Sequence, residues 1–363
     1  MTKLSQVKVA DLLGPAPISS VTDAEIWTHL VSPQTKSLLG EIESIAHETQ
    51  LHETSSPLFA QDDVSNLSDH KLYGGQNGFV RFPYTATIYK TSHGYLVIKR
   101  DHFKFKVFGY IGDIFKAKGE LIYKYALRDR RFDGTARAND SSLLDFPYDH
   151  KCNSPLPLNG VEISLYAFAP GSRIVQACGD SELEAFVANP FKFLDRPELY
   201  LKLFERAWKS QRSPGQIGSS IPDVAKFIAP NSDMIAASKG YDFIEDAASH
   251  YHVAMYASAA GYRCTFADQA QQLATFRAGI ERVKANGVSL SRPQESWICA
   301  LQSLPKELIP SQLYLGGLVW MQDNISQDNL WMNKPLSERA AALIPGPLKR
   351  TAPDAPPASG NAA

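Results

Sequence analysis

Three residues of this 363-residue chain carry the pieces of a nucleophilic mechanism: Ser181, Asp246 and His250. Such chemistry needs a hydroxyl to attack, an imidazole to take its proton and a carboxylate to orient the imidazole. Asp246 and His250 stand four apart, which on a helix over Ile244–Ala260 sets them on one face, while Glu245, Ser249, His252 and Tyr256 gather on another. At roughly 100° per residue, His250 and His252 point about 200° apart on that helix, so a second element must complete any metal or proton-transfer site. An ordinary i,i+4 ion pair accounts for Asp246 and His250 equally well. His47-Glu48 and His52-Glu53 invite a zinc-protease reading, which requires two histidines four apart on one helical face. Their spacing of five turns the second imidazole by about 140°, and Leu51 occupies the ligand position, so no metal site follows. Gly74-Gly75-Gln76-Asn77-Gly78 lacks the Lys-Ser/Thr of a phosphate loop and reads as a turn. No cofactor signature emerges.

Gly179-Asp180-Ser181 resembles the nucleophile block of GDSL-type hydrolases, in which the serine sits at a strand-to-helix turn. That resemblance implies Ser181 as nucleophile after a strand over Arg173–Cys178. It departs from the family in Glu182, where an aliphatic belongs, and in the absence of the closing Asp-x-x-His; Asp246 with His250 is one residue too long. A simple helix cap, Ser181 with Glu184 three residues on, explains the same residues. Cys178, directly before that helix, would gain thiolate character from its N-terminus. Gly78-Phe79-Val80-Arg81-Phe82 is similar to the closing five positions of the aromatic octapeptide in RNA-recognition motifs. Gly75, Gln76 and Asn77 do not match the opening three, and strands follow where that fold needs a helix.

The strongest signal is electrostatic. The whole chain balances 37 Lys or Arg against 38 Asp or Glu. Residues 81–137 hold 13 basic against 5 acidic side chains, a net of +8, which leaves 24 against 33 elsewhere, a net of −9. The same 57 residues carry 12 Phe or Tyr. Basic groups neutralise phosphates and aromatic faces stack on unpaired bases, so a cationic, aromatic sheet suits a polyanion such as nucleic acid, or an acidic protein partner. Arg81, Lys99, Arg100, Lys104, Lys106, Arg128, Arg130 and Arg131 supply the charge. The plainer alternative is a one-sided antiparallel sheet, apolar within and basic outside, in which Phe103, Phe105 and Val107 are core and Lys104 and Lys106 face solvent. A third is a purely structural module whose basic and acidic halves neutralise each other.

The elements that must position these residues divide the chain. Residues 1–34 read as a flexible lead-in with a short helix near Asp23–Leu30, broken by Pro15, Pro17 and Pro33. Leu38, Leu39, Ile42, Ile45 and Ala46 follow a helical period from Thr35 to about Leu51. Residues 70–180 alternate and are punctuated by glycines, which predicts an antiparallel meander ending in strands over Val161–Phe168 and Arg173–Cys178. Helices follow over 181–344: Pro197 fits a first turn, Thr265 caps a long helix to Asn286, and further helices fall near 198–211, 242–259, 293–303, 311–324 and 336–343. Residues 345–363 read as a disordered tail. The expectation is therefore an α+β fold, with a β-rich N-terminal half (35–180) and a helical C-terminal half (181–344). Trp320 and Trp331 pack the helical core and mark a second place for a protein partner. Cys152, Cys178, Cys264 and Cys299, spaced 26, 86 and 35 apart, match no zinc or redox pair. With no long apolar segment and no secretory leader, the chain reads as cytoplasmic and reduced, with no membrane partner. A non-enzymatic binding or accessory protein is the leading expectation, and a hydrolase or metal-dependent enzyme using Asp246, His250 and Ser181 its rival.

Overall fold

A computed structural model describes residues 16–51, 74–75, 78–79, 84–100, 104–116, 118–129, 158–320, 330–343 and 346–347. Its strands are β1 (Ile42–Leu51), β2 (Gly74–Gly75), β3 (Gly78–Phe79), β4 (Tyr84–Thr91), β5 (Gly94–Arg100), β6 (Lys104–Ile111), β7 (Glu120–Asp129), β8 (Gly160–Ala167), β9 (Phe243–Ala248), β10 (Arg263–Cys264) and β11 (Leu330–Pro335). The helices are α1 (Asp23–Glu25, continued as a π-turn over Ile26–Leu30), α2 (Pro33–Leu39), α3 (Ile174–Cys178), α4 (Ser181–Ala188), α5 (Pro197–Lys209), α6 (Val224–Ser238), α7 (Tyr251–Ala259), α8 (Ala267–Ala285), α9 (Arg292–Leu301) and α10 (Glu338–Leu343). The fold is α+β. Among the described residues nine strands form one sheet in the order β1-β4-β5-β6-β7-β8-β9-β11-β10.

From β1 to β8 every neighbour is antiparallel. β8 and β9 are parallel, and parallel neighbours need a long crossover, which here carries α3 to α6. The junction is tight. Gly160 lies opposite Phe243, and a Cβ on Gly160 would stand 2.2 Å from Cζ of that ring. The sheet thus runs past residue 180 and takes β9, β10 and β11 from the helical half, where no strand is expected from the sequence.

Alternation along the strands separates the two faces. Leu96, Ile98, Phe105, Val107, Tyr123, Tyr125, Leu127 and Val161 all point to the main core, where Ile26, Leu30, Leu39, Ile228 and Ile235 from the helices meet them. The opposite face carries a separate small cluster of Ala86, Ile88, Val97, Phe108 and Ile114. Helix α6 packs on β8 and β9 and carries a gap in its backbone hydrogen bonding. Pro230 has no N–H to give, while Asn231 Nδ2 and Ser232 Oγ donate to the Phe227 and Ile228 carbonyls, each at 2.8 Å.

Several local expectations are corrected. Thr35–Leu51 is not one helix: α2 ends at Gly40, whose φ of 79° closes it, and β1 follows. Ile244–Ala260 is not one helix either, because β9 is paired on both sides before α7 begins. Arg173–Cys178 forms α3 rather than a strand, which puts Cys178 at a helix C-terminus with its thiol donating to the Ile174 carbonyl at 3.1 Å. Asp180, not Ser181, caps α4 by accepting the Leu183 N–H at 2.9 Å. Thr265 does not cap α8; its hydroxyl accepts from Asn333 Nδ2 at 3.0 Å, and Phe266 holds the cap position. Over 311–324 the described residues give a 3₁₀ turn at Ser311–Leu313. The early helix at Asp23–Leu30, the strand near Val161–Phe168 and the helices near 198–211, 293–303 and 336–343 form as expected. The tail reading for 345–363 falls almost wholly outside the described residues.

Candidate polyanion-binding face

The cross-strand register decides which basic residues share a surface. Lys99 lies opposite Lys106, and Lys104 opposite Arg128. Phe108 lies opposite Lys124, and Tyr95 opposite Tyr110. All eight side chains therefore project from one face of β5, β6 and β7, the face turned away from the helical core. Lys99 Nζ and Lys124 Nζ each stand 5.9 Å from the centre of the Phe108 ring, so cations and rings interleave.

Exposure divides these residues. Lys99 and Lys106 are buried, at 7% and 8% exposure, whereas Lys104, Lys124 and Arg128 are half-buried. Arg128 reaches across to Glu162 on β8 in an ion pair. Arg100 belongs to the other face: its guanidinium donates to the Ser19 carbonyl at 3.1 Å, to the Val21 carbonyl and to Asp23, and so clamps the segment before α1 onto the sheet. Arg81, Arg130 and Arg131 lie outside the described residues. Lys124, Tyr95 and Tyr110 are members of this face that sequence reasoning did not single out; strict alternation from Lys104 and Lys106, carried across the strands, would have found them.

The residues of the enzymatic reading are placed separately. Ser181 is exposed at the first position of α4, and about six helical residues, roughly 9 Å, separate it from Val187, whose carbonyl holds Gly215 beside His250. Asp246 lies within β9 and His250 at the N-cap of α7. Asp246 lies inside a strand and His250 two residues beyond its end, so they do not share a helical face. No hydrogen bond joins Ser181, Asp246 and His250 among the described residues. The His250 ring instead lies nearly parallel to those of Phe191 and His252, each with its centre 6.0 Å away. Burial, and then the neighbouring His252, push its imidazole down to about 3. His252, pushed to about 4 by burial, shares Nδ1 with Ser296 Oγ at 3.0 Å. That serine is 1% exposed and accepts the His252 backbone N–H as well, so it anchors α7 to α9 and offers no nucleophile to a substrate.

Asp246 is the perturbed acid. Loss of solvent, reinforced by the negative charge of Glu162, pushes its carboxyl up to about 7. The folded protein then holds a proton between about pH 4 and 7 that the unfolded chain releases, so stability falls as pH rises through that window. Asp246→Asn removes the effect. Its stability relative to the parent is expected to climb from about pH 4 and level off above about pH 7, read by urea denaturation at each pH. A difference that does not vary with pH would contradict the shifted carboxyl.

Trp320 and Trp331 are both buried, at 3% and 7% exposure. Trp320 Nε1 donates to the Ser249 carbonyl at 3.2 Å, and its ring packs against Tyr251 and Phe276. Trp320 belongs to the main core, whereas Trp331 is buried on strand β11 rather than in the helical core. Cys178, Cys264 and Cys299 are free thiols. Among the described residues no helix is long and apolar enough to cross a membrane, and no group of three or more His, Cys, Asp or Glu is arranged for a metal ion. No family model, no curated protein and no solved structure matches this chain.

Proposed function

We propose that this chain is a non-enzymatic binding protein that receives a polyanion, with single-stranded nucleic acid the leading case, on the outer face of β5, β6 and β7. The observation that carries this reading is the register: Lys99, Lys104, Lys106, Lys124 and Arg128 share one face with Tyr95, Phe108 and Tyr110. Lys99 and Lys106 lie directly opposite each other on this face. Half-buried Lys104 and Lys124 are the side chains placed to meet phosphates, and Tyr95 and Tyr110 are the rings placed to meet bases. The enzyme reading has less support, since its three residues occupy separate elements and no hydrogen bond joins them among the described residues.

Binding of labelled single-stranded and duplex nucleic acid across a salt series tests the reading. Two to four phosphate contacts give a log–log salt slope of roughly −1.5 to −3 on single strands. Tighter binding to the single strand would favour stacking by the tyrosines. No binding to either at about 50 mM salt would remove nucleic acid and leave an acidic protein as the partner to seek.

A further inference from the structure

We propose that Phe115 extends the outer face of β5, β6 and β7 as a stacking platform for a nucleobase, so that the polyanion received there is one that carries planar bases. This inference rests on the binding reading given above and names the ligand class of the same face. The ring is placed by the connection between β6 and β7. Gly112 turns the chain with a φ of 84°, and a Cβ there would stand 2.7 Å from the Lys118 carbonyl oxygen. A 3₁₀ turn over Ile114–Lys116 follows. The Asp113 carboxylate accepts the Phe115 backbone N–H at 3.0 Å and pairs with Lys116 at 3.1 Å, while the Asp113 carbonyl accepts the Lys118 N–H at 3.0 Å. The two apolar residues of this turn go opposite ways. Ile114 is buried in the small cluster with Val97 and Phe108, whereas Phe115 turns outward and is 52% exposed.

A lone exposed apolar side chain is common on protein surfaces and carries no message. Phe115 is not alone. It meets Tyr95 edge-on, with ring centres 5.4 Å apart and planes at 82°. Tyr95 lies opposite Tyr110 across the β5–β6 pair, and Tyr110 stacks on Phe108 at 6.4 Å and 27°. A row of rings thus runs Phe108, Tyr110, Tyr95, Phe115, and passes from buried through half-buried to exposed. An edge-on contact occupies at most one of the two faces of the Phe115 ring, so the other is open to a flat guest.

Charge and ring chemistry select the guest together. Cations stand at both ends of the row: Lys124 Nζ lies 5.9 Å from the centre of Phe108, and exposed Lys118 belongs to the turn that carries Phe115. Those cations suit any chain of phosphates. The open aromatic face suits only a chain whose phosphates are interleaved with flat rings, and it takes any of the bases because each has a π-face. A bare polyphosphate has nothing to lay on it. In a duplex the bases are already stacked on one another, so the single strand is the form that can use Phe115.

The test compares two probes on the full chain at about 50 mM salt: an oligothymidylate, and an abasic oligodeoxyribonucleotide of the same length and charge. Phe115→Ala is expected to weaken oligothymidylate binding about 5- to 20-fold and to leave its salt slope unchanged, because a neutral ring releases no counterion. The same variant should bind the abasic strand as the parent does. Phe115→Trp restores a flat ring and should bind oligothymidylate at least as tightly as the parent, which a merely structural role for Phe115 would not produce. If the parent binds both strands and Phe115→Ala binds oligothymidylate equally well, the stacking proposal is overturned while the polyanion reading stands. Equal weakening toward both strands overturns it too, since the loss would then not involve bases. A parent that binds neither strand overturns both.

Discussion

Trp297→Ala is expected to lower the unfolding free energy by about 3–5 kcal/mol, the range for removing a fully buried large aromatic. Trp297 is 0% exposed and stands where three helices and a loop meet. Its ring stacks on Phe186 of α4 at 5.4 Å and 3°, and meets Phe204 of α5 edge-on at 6.0 Å and 88°. Its indole N–H donates to the Arg212 carbonyl at 2.7 Å. The Arg212 guanidinium in turn donates to the carbonyls of Ile217 and Ser172, each at 2.9 Å, and so ties the loop before α6 to the chain after β8. Truncation therefore opens a cavity and also leaves a carbonyl without its donor. Trp297→Phe keeps most of the packing and loses the hydrogen bond, so a loss of about 1–3 kcal/mol is expected. Urea denaturation of both variants checks the ranking, and equal losses would mean that the indole hydrogen bond rather than ring volume holds this junction.

The second large effect concerns binding. Lys104→Glu combined with Lys124→Glu should weaken polyanion binding about 10- to 100-fold near physiological salt and flatten the log–log salt slope on single strands by about 1.4. Both residues are half-buried on β6 and β7, and neither points to the helical core. Lys209→Glu with Lys226→Glu is the matched control. Those lysines are exposed on α5 and α6 and paired with Glu205 and Asp223, so they should leave the slope unchanged. Equal loss in the two double variants would show that overall charge rather than this face governs binding.

The split of β6 between its two faces was legible because alternation is written directly into Lys104-Phe105-Lys106-Val107: a two-residue period sorts the lysines from the core without reference to any neighbour. What the sequence could not convey is cross-strand alignment, which adds Lys124, Tyr95 and Tyr110 and sends Arg100 to the other side. β1 was hidden by its bulges. Register shifts between Ile42 and Ser44, and between Ile45 and His47, each insert an extra residue, so Ile42 and Ile45 repeat at three and mimic a helix. β9 was hidden by composition. Phe243-Ile244-Glu245-Asp246-Ala247-Ala248 has little β propensity and becomes a strand because β8 and β11 pair with it on both sides. That error set Asp246 and His250 on a common helical face, whereas extended chain carries them apart.

Lysine footprinting tests the central claim most directly. The protein is acetylated briefly with and without a single-stranded oligonucleotide, and each site is quantified by mass spectrometry. The face proposed here predicts several-fold protection of Lys104 and Lys124, little change at already buried Lys99 and Lys106, and none at exposed Lys209 and Lys226. Protection of Lys209 and Lys226 with Lys104 and Lys124 still reactive would contradict it, and would move the binding surface to the helical side of the molecule.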